Sequence, residues 1–227
     1  MMRCACGHEF EPEVRYKHRL LCADSTDPDA RVLALGGETP AMIWSDPPYG
    51  LGGYAGRGGH LDAVDGDADP HERILEYFKV GQAAEVYICC NFESYPTLLE
   101  ARDKPRSLIV WVKPTFGMGS GYRRQHEFIG YYGAFDGTTE TDVWEINRET
   151  APYIHPTQKP AALPGRAIGN STHMGEIVFD PFGGSGPCME AAEHLHRRSC
   201  LIEKQPKYCA CILERMTALG LTPEVIP

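Results

Sequence analysis

IVFDPFGGSG, residues 177–186, decides the fold. The apolar run Ile177-Val178-Phe179 has the length and composition of a buried strand, and it runs straight into an aspartate, a proline and three glycines. Glycines let a backbone turn tightly and approach a ligand closely, and Pro187 opens a helix whose first N–H groups point back at the turn. Strand, glycine turn and helix in this order form the unit of an α/β sheet, in which ligands collect outside the carboxyl ends of the strands. The loop is not a phosphate-binding P-loop, because Pro187 and Cys188 stand where lysine and Ser/Thr are needed. About twenty residues on, as in folds that hold a ribose by its hydroxyls, the next strand ends in Glu203. Taken alone, the glycine loop reads equally well as a tight strand-to-helix turn.

The rest of the chain repeats that unit. Strands are expected at Arg19–Cys22, Ala41–Trp44, Val86–Cys90, Leu108–Val112, Phe128–Tyr132, Val143–Ile146, Ile177–Phe179 and Cys200–Ile202. Helices are expected at Pro70–Lys79, Tyr95–Ala101, Lys159–Asn170, Pro187–Arg197 and Pro206–Leu219, several opening on a proline whose missing N–H costs nothing there. The alternation predicts an α/β, Rossmann-like fold: a mostly parallel sheet with helices on both faces.

A second strand end carries more chemistry than a turn requires. Ile43-Trp44 leads through Ser45 into DPPYG, residues 46–50. The prolines stiffen the backbone and leave carbonyls free to accept, Asp46 adds a charged acceptor, and Tyr49 adds a flat face for stacking. That set suits an amino group attached to an aromatic ring, although an isolated DPP also serves as a plain strand terminus.

Composition narrows the class. The chain has 227 residues, 42% hydrophobic and 23% charged, enough for one domain with a real core. No window approaches the ~20 apolar residues of a membrane span, and the start MMRCACGHEF has no continuous apolar stretch, so a soluble protein without membrane partners is expected. Nine cysteines are scattered without the spacing of a disulfide framework and read as reduced thiols. Cys4, Cys6, His8 and Cys22 could in principle hold zinc, but the spacing is poor, and no metal is expected. The acidic stretch from Asp62 to Glu76 reads as a solvated turn, since Val64 stands where an EF-hand needs an oxygen ligand. With 22 basic against 31 acidic residues the formal charge is −9, which argues against nonspecific attraction to nucleic acid. Residues 101–131 reverse the sign locally, with Arg102, Lys104, Arg106, Lys113, Arg123 and Arg124 against Asp103 and Glu127.

DPPYG, HPTQKP (His155 to Pro160) and DPFGGSG, in that order, resemble the amino-group DNA methyltransferases of the beta-type motif order, a circular permutation in which the catalytic motif precedes the S-adenosylmethionine motif. LLCADSTDPD, with Ala23 where the family usually has glycine, LIVWVKP, YRRQHEFIGYY and IEKQPKYCACILERM are also similar, so the likeness spans nearly the whole chain. It implies an enzyme that swings its target base out of the duplex, because a paired amino group cannot reach a methyl donor. In the implied site Asp46 and the Pro47 carbonyl accept from the amino group, Pro48 stiffens the loop and Tyr49 stacks on the base. The resemblance places S-adenosyl-L-methionine against Asp180, Phe182, Gly183, Gly184, Ser185 and Gly186, with Glu203 on the ribose and Asp24 and Ser25 at the adenine. His155, Thr157, Gln158 and Lys159 would close over the methionine end, which Asp46 also approaches. Duller readings stand beside these: Glu203 as a surface charge, Asp24 and Ser25 as a turn or cap, Lys159 as a solvated helix start.

Adenine is the implied target because aspartate begins the motif; cytosine is the alternative, and RNA or protein glutamine stay open. A noncatalytic nucleic-acid-binding subunit is the reading of another class. Pro187-Cys188 falls inside the cofactor loop, so Cys188 reads as helix packing and not as a cytosine carbon-5 nucleophile. Residues 1–18 are expected to be a short appendage, a partial Cys-rich module at most, and 19–227 a single catalytic domain. Roughly one hundred residues separate DPPYG from HPTQKP, too few for a large target-recognition domain. Specificity would then be short or borrowed from a homodimer or a specificity partner. DNA contacts are expected from Tyr54 and Arg57 in a loop after the catalytic motif and from Lys113, Arg123, Arg124, Gln125 and His126. A cytoplasmic, prokaryotic or phage-encoded restriction-modification enzyme fits the whole.

Overall fold

The computed structural model describes residues 2–3, 9–10, 17–49, 66, 68–116, 122–134, 140–148 and 158–224. Two short strands, β1 (Met2–Arg3) and β2 (Glu9–Phe10), pair antiparallel; the cysteine-bearing residues between them lie outside the described ones. The main sheet has eight strands: β3 (Arg19–Cys22), β4 (Met42–Ser45), β5 (Glu85–Cys90), β6 (Ser107–Val112), β7 (His126–Gly133), β8 (Val143–Glu145), β9 (Ile177–Asp180) and β10 (Arg198–Glu203). Their spatial order is β3-β10-β9-β4-β5-β7-β6-β8. From β3 to β5 every pair is parallel, β7 runs antiparallel to both β5 and β6, and β8 is parallel to β6.

Both faces of the sheet are covered, as strands buried along their whole length require. Alternation sorts β4 and β5 between two cores. Met42, Trp44, Tyr87 and Cys89 pack with Leu163, Ala167 and Ile168 of α4 (Ala162–Ser171) and with Cys188, Ala191 and Ala192 of α5 (Pro187–His194). Ile43, Val86, Ile88 and Cys90 face the other way. There they meet Ala30 and Ala34 of α1 (Pro28–Leu35), Ile74, Tyr77 and Phe78 of α2 (His71–Phe78), and Leu98 of α3 (Tyr95–Ala101). Helix α6 (Pro206–Ala218) adds Ile212 and Met216 against Met189 and Leu201.

Three sequence expectations change. Helix α1 was not anticipated, although its signals are present: the Asp27 carboxylate accepts from the Asp29 N–H at 2.9 Å, Pro28 opens the helix and Gly36 closes it at φ 60°. The helix expected from Lys159 begins at Ala162, leaving Lys159 and Pro160 in the segment that leads into it. The antiparallel setting of β7 was invisible to periodicity, which fixes the faces of a strand but not its direction.

Candidate active site

Four parallel strands deliver four carboxylates to one edge. Register sets Cys22 beside Glu203, Leu201 beside Asp180, and Ile43 beside Phe179. Asp24, Glu203, Asp180 and Asp46 therefore follow one another along the carboxyl ends of β3, β10, β9 and β4. One cleft runs beneath them, lined also by Ser25, Pro47, Pro48, Tyr49, Gln158, Lys159, Phe182, Gly183, Gly184 and Ser185. Trp44, Tyr77, Gln205 and Tyr208 join that lining, unanticipated because nothing in their spacing marks them.

The glycine turn is packed closely against α6. Gly184 and Gly186 sit at φ 53° and 83°, which side-chained residues rarely adopt, and a Cβ on Gly186 would lie 2.9 Å from Ile212. The Glu203 carboxylate accepts from the N–H of Gly184 at 2.8 Å and of Gln205 at 2.7 Å, so it is a buried, directed group and not a loose surface charge. Asp180 accepts from the Phe182 N–H at 2.9 Å. Burial pushes the Asp180 carboxyl up to about 8, with the charges of Asp46 and Glu203 adding to the shift and the Phe182 bond opposing it. The Ser185 hydroxyl is buried with no partner among the described residues. Asp24 is half-buried: it accepts from the Thr26 N–H at 2.9 Å and from its hydroxyl at 2.7 Å, and pairs with Arg73 at 2.6 Å.

At the other end of the cleft, Asp46 is held from two sides. The Tyr49 hydroxyl donates to Oδ1 at 2.6 Å, and the Lys159 ammonium donates to Oδ1 at 2.8 Å and to Oδ2 at 2.9 Å. Burial, then the Asp46 charge, push the Tyr49 phenol well above its ordinary range, so it remains a donor. Lys159 also lies 3.3 Å from Glu127, whose other oxygen pairs with Lys113. Burial works against the Lys159 charge, but Asp46 and Glu127 outweigh it and hold the ammonium well above the ordinary lysine range. For Glu127, burial is likewise outweighed, by Lys159 and Lys113, and its carboxyl falls to about 2.

Two expectations are corrected here. Lys113 is not a surface contact for DNA: it is buried, paired with Glu127, its ammonium 4.7 Å from the Trp111 ring centroid. Lys159 is not a solvated helix start but a buried bridge. Cys188 is fully buried and its thiol pushed well up by burial beside Asp180, in keeping with helix packing. Arg123 stacks over Phe116 at 5.0 Å, Arg124 pairs with Glu93 and lies 5.9 Å from Phe92, and Gln125 donates to the Lys113 carbonyl at 2.9 Å. With His126 they stand on the same edge of the sheet but outside the cleft lining. Tyr54, Arg57, His155 and Thr157 lie outside the described residues. Glu127 carries no mark in the sequence, because it sits at the start of a strand, and only an antiparallel strand brings its first residues to that edge.

Fold and site together define an α/β domain of the Rossmann-like class with a cleft lined by acidic residues at the carboxyl edge of its parallel strands. The N6/N4 methyltransferase family model, described as DNA methylase, matches residues 134–214. The Type II methyltransferase M.HpaI of Haemophilus parainfluenzae is 28% identical over 213 residues, 77% of this chain and 67% of the relative. M2.DpnII of Streptococcus pneumoniae is 29% identical over 224 residues, 80% and 84% of the two chains. The fold is also that of M1.HpyAVI crystallised as a SAM complex, with a TM-score of 0.63 at 20% identity, covering 88% of this chain and 100% of the other. In sequence and in fold the chain is similar to the N6/N4 amino-methyltransferases of the DPPY type.

Proposed function

We propose that this protein is a site-specific DNA methyltransferase that moves a methyl group from S-adenosyl-L-methionine to the exocyclic amino group of a flipped adenine. One observation carries the reading: a single cleft joins a glycine cradle and ribose-type carboxylate to an aspartate–proline–tyrosine acceptor set. The residues fit the cofactor. Gly183 and Gly184 line the cleft with bare backbone, the Ser185 hydroxyl is buried and orphaned among the described residues, and Glu203 is fixed beside the turn by the Gly184 N–H. When bound, S-adenosyl-L-methionine supplies an electrophilic methyl group on a positively charged sulfur.

The protein's part is placement and electrostatics. Asp46 and the Pro47 carbonyl accept from the amino group, which turns the nitrogen lone pair toward the cofactor side of the cleft, and Tyr49 gives the base a flat wall. The carboxylate of Asp46 stabilises the positive charge that grows on the nitrogen before it releases a proton. No covalent bond to the enzyme is needed. Adenine is preferred because aspartate, not serine, opens the motif. DNA contacts are assigned to Arg123, Arg124, Gln125 and His126, on the edge beside the cleft. A specificity partner or second copy would supply what the small domain lacks in target recognition.

The test is direct. The protein is incubated with labelled S-adenosyl-L-methionine and mixed-sequence DNA, and the digested nucleosides are identified. Label in N6-methyladenine is expected. N4-methylcytosine would move the assignment to the other amino base, while carbon-5 methylcytosine would defeat the mechanism. A protein that binds DNA but neither cofactor nor label would be the noncatalytic subunit instead.

A further inference from the structure

We propose that Glu127 is a positioning residue for methyl transfer, anchoring Lys159 so that Lys159 holds the Asp46 carboxylate facing the cleft. The inference rests on the methyl-transfer reading above and adds to it a residue that touches neither cofactor nor base.

The geometry is a chain of alternating charge. Lys113 pairs with Glu127, Glu127 lies 3.3 Å from Lys159, and Lys159 binds Asp46 at 2.8 and 2.9 Å. Lys113 and Lys159 are 8% and 7% exposed at the side chain and Glu127 and Asp46 21% and 19%, and of the four Lys159 and Asp46 line the cleft. Four elements contribute: the residue after β6, the second residue of β7, the lead-in to α4, and the end of β4. A buried ionic network is weak evidence for stability, because desolvating the charges cancels much of their attraction. A network whose carboxylate in the cleft is Asp46 is better explained by what it does to that carboxylate.

Its effect on Asp46 is specific. Lys159 contacts both oxygens and Tyr49 donates to Oδ1, so the carboxylate plane cannot turn without breaking a charged bond. Oδ1 then accepts twice and Oδ2 once, which leaves Oδ2 with the capacity to receive the amino group. Lys159 also donates to the Tyr49 hydroxyl at 3.3 Å, and Glu127, 3.3 Å away, supplies the second negative charge that holds the ammonium in this buried place. Without it the Lys159 ammonium keeps Asp46 alone against full burial, and its proton becomes easier to lose.

That loss gives a readout which mere structural support would not move. The groups facing Lys159 are Asp46, Glu127, Tyr49 and Cys89, with Lys113 and Cys90 behind them. Burial keeps Tyr49 and Cys89 well above their ordinary values and Cys90 at about 12. Asp180, near 8, is common to every variant compared. In Glu127→Gln, Lys159 loses one of its two negative neighbours and should deprotonate at lower pH, releasing Asp46, so a Lys159-dependent alkaline fall that lies above the measured range in the wild type should move toward or into it.

The experiment compares single-turnover methyl transfer, at saturating S-adenosyl-L-methionine and DNA, from pH 6 to 10 in the wild type, Glu127→Gln and Glu127→Gln/Lys113→Met. The double variant removes the lysine that the single change leaves buried and unpaired, so it reports even if the single variant does not fold. The expected result is a rate at least tenfold lower at neutral pH in whichever variant folds, an alkaline limb displaced to lower pH, and cofactor affinity within about threefold of wild type. A double variant with wild-type rate and limb would show that Glu127 merely balances Lys113, and the proposal would fall. A wild-type protein that methylates nothing overturns the reading underneath, a different outcome from an active enzyme indifferent to Glu127.

Discussion

Asp46 could be read from the sequence because its neighbours announce it: two prolines and a tyrosine after a buried strand are more than a turn needs. Its partners could not be, since Lys159 is 113 positions away and Glu127 lies on a strand whose direction periodicity cannot give. Asp46→Ala should lower single-turnover methylation at least a hundredfold, about 2.7 kcal/mol of transition-state stabilisation, because the acceptor matters most as the nitrogen becomes positive. Cofactor binding, measured by calorimetry, should survive; a near-normal rate would make DPPYG a strand terminus only. Asp180 makes a second residue-scale prediction. Its folded-state value of about 8 stands above the ordinary 3.8, so its burial costs nothing while both states are protonated and costs more as pH rises from about 4 to 8. Asp180→Asn keeps an acceptor for the Phe182 N–H and removes the titration. Denaturant melts should show the variant gaining on the wild type between pH 5 and pH 8, by at least about 1.4 kcal/mol, the equivalent of one pKa unit. Equal pH dependence of the two proteins would place Asp180 in a wetter setting than the structure shows.

Elements were legible where sequence marks both ends. Strand β9, the glycine turn and α5 stand as IVFDPFGGSG implied, because a β-branched run favours a strand, glycine is the residue that tolerates the positive φ of the turn, and proline is pre-set for the first helical position. Helix α1 was harder to read because its apolar face is short, with Ala30 and Ala34 as its buried residues, although Asp27-Pro28 and Gly36-Gly37 bracket it. The turn before α5 offers a test with an internal control. Gly186→Ala puts a side chain at φ 83° and 2.9 Å from Ile212, so it should cost about 1–3 kcal/mol, a left-handed penalty of about 1–2 kcal/mol plus displacement of Ile212. Gly169→Ala, exposed within α4 with nothing near its Cβ, should instead gain roughly 0.5–1 kcal/mol of helix propensity. Thermal melts of the two variants should move in opposite directions. Similar shifts would mean that the strained turn is not set by Gly186.

At the scale of the whole molecule, the order β3-β10-β9-β4 could not be read from local pattern, since it brings strands from both ends of the chain side by side. That order also separates charge along one edge: Asp24, Glu203, Asp180 and Asp46 occupy the half from β3 to β4, and Arg123 and Arg124 stand before β7 in the other half. Asp24 and Asp46 are paired with Arg73 and Lys159, and burial favours the neutral form of Asp180, so a chain with formal charge −9 that binds DNA on this edge depends on the exposed arginines of the other half. The two arginines are poised for it, extended over Phe116 and Phe92 instead of folded into the core. Arg124 is partly committed to Glu93, so Arg123 should contribute the larger share. Replacing both by alanine should weaken DNA binding and reduce the slope of log affinity against log salt by roughly 0.9 for each phosphate that is no longer neutralised, a total between about 0.9 and 1.8. Titrations of a fluorescent duplex at several salt concentrations measure that slope. Weaker binding with an unaltered slope would mean that the arginines act on bases or on loop packing, and an unaltered affinity would put the DNA on another face of the sheet.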